Sequence, residues 1–131
     1  MNAFLIELEN NPGTLALVTE AIAKKGVNLT SAVGTNCGSS GKLAITTDND
    51  AATRTALGEV KAKFSESEIV ETSLPNQVGS LAKAARRLAD AGVNVEGITA
   101  LGMKGNDISV GFITDNPAKA RTALQAATAA R

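Results

Sequence analysis

Glu9-Asn10-Asn11-Pro12-Gly13-Thr14-Leu15-Ala16 and Asn76-Gln77-Val78-Gly79-Ser80-Leu81-Ala82 are two versions of one stretch, and their reading decides the fold. Sliding the sequence on itself by 79 − 13 = 66 residues superimposes Gly13 on Gly79, and the match resumes where Gly26-Val27-Asn28 meets Gly92-Val93-Asn94. Between Gly13 and Asn28 seven of sixteen positions are identical. Average residue usage gives about one such match, so the chain repeats itself. Upstream, Phe4, Ile6 and Leu8 fall on Val70, Thr72 and Leu74, keeping the period of two that marks a strand with one inward face. Downstream the offset becomes 115 − 48 = 67, pairing Leu43, Ile45, Thr47 and Asp48 with Val110, Phe112, Thr114 and Asp115, so the second hairpin holds one extra residue.

Each copy reads as strand, helix, two strands and a second helix. In the first, residues 3 to 9 form a strand, and Asn11 is the expected cap of a helix whose first turn carries Pro12, where a missing N–H costs nothing. Leu15, Val18 and Ile22 share a helical face, Leu15 and Leu81 are expected in the core, and Gly26 supplies a left-handed stop. Val27 to Asn36 and Lys42 to Thr47 make a hairpin, and Leu57, Val60 and Phe64 mark the second helix. The second copy has a strand at Ile69 to Leu74, a helix bearing Leu81, Ala84 and Leu88, strands near Val93 to Leu101 and Asp107 to Thr114, and a last helix from Asn116-Pro117. The division is 1–66 and 67–131, six strands and four helices, with no residues left for a closing fourth strand in the second copy. The class is α+β: two tandem ferredoxin-like βαββα units, an antiparallel sheet with helices on one face. Neither half buries much alone, which predicts one continuous core or sheet shared by both.

Composition removes several functions. Thirteen basic and thirteen acidic residues cancel, and Phe4, Phe64 and Phe112 are the only aromatics, which argues against nucleic acid or an anionic membrane as partner. A lone Cys37 and the absence of histidine remove a disulfide framework, the usual metal sites and the commonest general base, so neither a metal nor a cofactor is expected. The N-terminus shows neither a signal peptide pattern nor an apolar run long enough to span a membrane, and the expected location is cytoplasmic. Gly34 to Lys42 looks superficially like a phosphate loop, but Asn36 and Leu43 stand where that motif needs glycine and a hydroxyl, and the segment joins two strands. Cys37 there is read as incidental.

The quoted stretch, followed by Gly26-Val27-Asn28-Leu29, resembles the signature of the ACT domain: Asp or Asn, any residue, Pro, Gly, a variable residue and Leu, then a helix and Gly-Val/Ile-Asn-Ile/Val. The second copy ends in Gly92-Val93-Asn94-Val95 and carries Val78 in place of the proline. The resemblance covers nearly the whole chain. It implies a regulatory module that senses small molecules, usually amino acids, commonly at an interface between paired units. It also implies that Asn10 and Asn76 stand where a side chain contacts the ligand's polar groups, and that chains made only of tandem units are stand-alone binding proteins.

Chemistry points to the same place. A strand-to-helix turn with glycine at its tip exposes the first N–H groups of the helix, which lack intrahelical partners and sit at the positive end of its dipole, so it suits a carboxylate. Gly13 and Gly79 admit a ligand to the backbone, Thr14 and Ser80 add hydroxyls, and Asn11, Leu15, Gln77 and Leu81 complete the two candidate ligand-binding turns. Asn28 and Asn94, at the starts of the second strands, are candidates to close a pocket across an interface. The plainer reading stands beside this one: Asn-Asn-Pro-Gly is what any tight turn into a helix wants, Gly26 and Gly92 stop helices, and Asn28 and Asn94 satisfy backbone groups. No nucleophile has a recognisable base partner, so no catalytic residue is named and the chain is not expected to be an enzyme. Two functions follow: an amino-acid-binding sensor, or a regulatory subunit that docks on an amino-acid biosynthetic enzyme, as the small subunit of acetolactate synthase does. Both predict a homodimer.

Overall fold

Alternation builds the first strand: in the computed structural model, which describes the backbone of residues 1–129 and side-chain surroundings as far as Gln125, Phe4 and Ile6 are fully buried on one face. The elements in chain order are β1 (Asn2–Glu9), α1 (Thr14–Lys24), β2 (Leu29–Cys37), β3 (Ser40–Thr47), α2 (Asp50–Glu59), β4 (Phe64–Pro75), α3 (Ser80–Asp90), β5 (Val95–Lys104), β6 (Asp107–Thr114) and α4 (Pro117–Ala129). Among the described residues this is the α+β arrangement of six strands and four helices that the sequence predicts.

The chain divides into two compact units, one of Asn2–Ser67 and one from Glu68 onward together with Met1, so the boundary falls inside β4. In the first unit the hydrogen-bonded order is β2-β3-β1-β4, with Phe4 opposite Ile45 and Gly34 opposite Leu43. The second has the order β4-β6-β5, with Val70 opposite Phe112. Each unit has its own cluster of buried residues. Phe4, Ile6, Val18, Ile22, Ile45 and Leu57 centre the first, and Val70, Ala84, Leu88, Phe112, Ala120 and Leu124 centre the second. Full burial of a residue such as Ile22 or Leu88 stabilises its unit by about 1.5–3 kcal/mol.

Three expectations are corrected. Asn11 does not cap α1: Gly13 holds the cap position at φ 93°, and its left-handed backbone places Pro12 outside the helix. Phe64 is not helical, because α2 ends at Glu59 and the chain reverses through Lys61, whose φ is 55°, into β4. There Phe64 packs near the Phe4 ring, with centroids 6.1 Å apart. Leu15 and Leu81 are not core residues, being 54% and 49% exposed; Val18 with Ile22, and Ala84 with Leu88, supply the buried faces of α1 and α3.

Two ion pairs fasten helices to β4. Arg54 grips Glu66 with two hydrogen bonds of 2.6 and 2.7 Å, which hold the Glu66 carboxyl below its ordinary range, and Arg121 pairs with Glu68.

Candidate functional site

β1 ends at Glu9 beside the tip of the β2–β3 hairpin, so the turn into α1 is built against that tip. The Asn10 N–H donates to the Ser39 carbonyl at 2.9 Å, its side-chain amide donates to the Gly38 carbonyl at 3.3 Å, and its Oδ1 accepts from Asn36 Nδ2 at 3.0 Å. Asn11 Nδ2 reaches the Glu9 carboxylate at 3.1 Å. The Thr14 hydroxyl donates to the carbonyls of Glu9, at 2.8 Å, and of Asn11, at 3.0 Å, which closes the turn on itself. The α1 ladder begins only where Leu17 N–H meets the Gly13 carbonyl at 2.9 Å. The N–H groups of Leu15 and Ala16 therefore face outward without a partner among the described residues.

Between this turn and the hairpin lies a cavity of about 370 Å³, bordered by Leu8, Asn10, Asn11, Thr14 and Leu15 on one side and by Gly34, Asn36, Gly41 and Leu43 on the other. Residues directly opposite in a ladder share a face, and Leu8 stands opposite Gly41, Asn36 opposite Gly41, and Gly34 opposite Leu43. These point to the helix side, whereas Glu9, Thr35 and Lys42 alternate to the other face although they border the cavity. Gly41 is needed here, since a Cβ would lie 2.8 Å from the Thr35 backbone carbonyl and 2.3 Å from Asn36 Oδ1, and Gly34 leaves only the edge of the buried Leu43 at the cavity, its own Cβ position being 3.3 Å from Leu43 Cδ1.

The structure thus brings Asn10, Asn11, Thr14 and Leu15 to one cavity with Gly13 at the tip of the same turn. It places Asn28 elsewhere. Asn28 lies at the opposite end of β2, where its N–H donates to Asp48 Oδ1 at 2.9 Å and its carbonyl accepts from Asp48 N–H at 3.1 Å. Asn94 and Asp115 repeat that lock at 2.9 and 3.1 Å. In the second unit Asn76, Gln77, Gly79, Ser80 and Leu81 form a turn with the same backbone, Gly79 standing at φ 88°. Sequence reading does not assign Leu8, Gly34, Asn36, Gly41 or Leu43 to the ligand site, and it meets Gly34 to Lys42 only as a rejected phosphate loop. The available signal was glycine within a strand, which marks a close approach.

A larger trough of about 670 Å³ runs along β4 from Glu68 to Ser73, beside Arg121, Leu124 and Gln125 of α4. Its charges are already matched. Arg121 is paired with Glu68, and Glu71 accepts from the buried Ser109 hydroxyl at 2.5 Å and lies 3.5 Å from Lys104 Nζ. That hydrogen bond, with the Lys104 charge, holds the Glu71 carboxyl below its ordinary range. No group of three or more His, Cys, Asp or Glu side chains among the described residues is placed to hold a metal ion. No described helix is long and apolar enough to cross a membrane.

No family model matches the sequence, and no curated protein matches it. Solved structures do. A protein from Bacteroides thetaiotaomicron shares 27% identity at a TM-score of 0.84, over 97% of this chain and 88% of that one. The regulatory subunit of aspartate kinase from Thermus thermophilus, in a ligand-free form, shares 24% at a TM-score of 0.70, over 95% and 87%. The corresponding subunit from Thermus flavus shares 20% at 0.64, over 97% and 91%. What the chain has in common with these proteins, over nearly their whole length, is the fold.

Proposed function

We propose that this chain is a regulatory protein of two tandem ACT-like, ferredoxin-type units that binds an amino acid and catalyses no reaction itself. The observation that carries the reading is the cavity beside the Asn10–Leu15 turn, where the unpartnered N–H groups of Leu15 and Ala16 face outward to meet a carboxylate. The second turn repeats the backbone and is the proposed second site, with Asn76, Gln77, Ser80 and Leu81 as its contacts. The regulatory part of the reading is supported by the names of the aspartate kinase subunits that share the fold. A homodimer in the cytoplasm is the expected state, with Asn28 and Asn94 near a pocket closed by a second unit.

A thermal-shift screen against the twenty amino acids tests the proposal. One specific ligand should raise the apparent stability as its concentration rises, by about 2.7 kcal/mol at a hundredfold excess over Kd. A Gly13→Val, Gly79→Val double variant, which fills the approach to the backbone at both turns, should abolish the shift while its circular dichroism spectrum shows the fold retained. The second reading, a subunit that docks on a biosynthetic enzyme, is favoured by the exposure of Leu15, Leu17, Val78 and Leu81. A screen with no hit at millimolar concentration, together with a stable complex with such an enzyme, selects it.

A further inference from the structure

The groups that face the first-unit cavity restrict what can fill it. Its walls are Leu8, Leu43 and the half-exposed Leu15, over a floor at Gly34. Its four polar side chains on this side are each engaged: Thr14 with the Glu9 and Asn11 carbonyls, Asn36 with Asn10 Oδ1, Asn10 also with the Gly38 carbonyl, and Asn11 with the Glu9 carboxylate. Of the bordering charges, Lys42 belongs to the opposite face by strand alternation, and the Glu9 carboxylate is held by the Asn11 side-chain amide at 3.1 Å. A charged ligand side chain would lose water here and gain no uncommitted counter-charge, whereas an apolar one would cover Leu8, Leu15 and the edge of Leu43. We infer that the ligand held at this cavity carries an uncharged aliphatic side chain, seated on Gly34 and Leu43 beneath Leu15. This rests on the amino-acid-binding reading above and makes Gly34 a specificity-determining residue. The backbone of Gly34 needs no positive φ, and its Cβ would meet only the flexible end of Leu43 and a carbonyl at 3.4 Å, so alanine fits the strand while covering the Leu43 methyl.

Isothermal titration calorimetry of the full chain with leucine, isoleucine and valine, against lysine, arginine, aspartate and glutamate, tests the inference. At least one of the first three should bind, about tenfold or more tighter than any of the last four. Gly34→Ala, with an unchanged circular dichroism spectrum, should weaken that ligand about tenfold, and Leu15→Ala should weaken it in the same direction. Tightest binding of a charged amino acid overturns the inference and leaves the amino-acid reading standing. So does an aliphatic ligand whose affinity neither variant changes. If none of the twenty amino acids binds, the amino-acid reading falls and the inference falls with it.

Discussion

At Gly13 the chain turns into α1 with φ 93° and ψ −13°, and at Gly79 into α3 with φ 88° and ψ −6°. The hydrogen bonds around the two glycines repeat as well: Asn11 N–H to the Glu9 carbonyl at 2.9 Å and Gln77 N–H to Pro75 at 2.8 Å, then Thr14 N–H to Asn11 at 3.4 Å and Ser80 N–H to Gln77 at 3.3 Å. The side chains do not repeat. Asn10 and Thr14 are bound into the first turn and its hairpin, whereas Asn76 and Ser80 make no side-chain hydrogen bond among the described residues, and Val78 stands fully exposed where the first turn has Pro12. A turn's path is set by one left-handed glycine and a few main-chain bonds, so side chains around it are free to diverge. The side-chain bonds that tie the turn to its hairpin therefore belong to the first unit, even though both units share the turn's backbone.

The cores show the same independence with a compensation. Phe4 pairs with Ile45 in the first unit, and at the equivalent positions Val70 pairs with Phe112, so the aromatic ring has changed strands while the pair keeps about the same bulk. Both rings are at most 1% exposed. Phe4→Ala and Phe112→Ala should each destabilise their unit by about 3–5 kcal/mol in urea unfolding of the full chain. A loss under about 1 kcal/mol in one alone would mean that only one of the two pairs is tightly packed.

A smaller difference separates the ends of β3 and β6. The Thr47 hydroxyl meets the Thr53 hydroxyl at 2.8 Å, but Ala120 occupies the position equivalent to Thr53, and the buried Thr114 hydroxyl has no partner among the described residues. Thr114→Val should stabilise the chain by about 1 kcal/mol, because an unmet buried hydroxyl costs its desolvation, and Thr47→Val should destabilise it by about as much. Thermal unfolding of the two variants side by side checks the opposite signs. Equal signs would place a water or another donor at Thr114.

The smallest effect concerns the turns themselves. Asn10→Ala removes two exposed side-chain bonds to the hairpin and should lower stability by about 0.5 kcal/mol, with faster hydrogen exchange near Gly38 and Ser39. Asn76→Ala, which removes none, should leave stability and exchange unchanged. Similar exchange in both variants would mean that the Asn10 bonds do not anchor the hairpin.

The repeat, the number and kind of elements, and the location of the two turns were legible in the sequence, because glycine spacing and the periods of 2 and 3.6 are local signals. The cap of α1 was misread because Asn11 has the chemistry of a cap, yet the left-handed Gly13 takes the position. Phe64 kept a helical spacing from Leu57 and Val60, although the chain reverses after α2 and the ring belongs to β4. Leu15 and Leu81 fit the apolar stripe of their helices as well as Ile22 and Leu88 do, and nothing in the spacing tells that the stripe overruns the sheet at its N-terminal end.

The sequence by itself determined that one strand–turn–helix pattern occurs twice, with glycine at each turn and an inward face on each strand, since these follow from backbone sterics and side-chain alternation within a few residues. Tertiary structure decided which side chains meet. Asn36 reaches Asn10 across Gly41, which has no Cβ, Gly34 leaves the edge of the buried Leu43 at the cavity, and Thr114 lacks the partner that Thr47 has. Each of these depends on residues brought together by strand register and helix packing, which a reading along the chain does not contain.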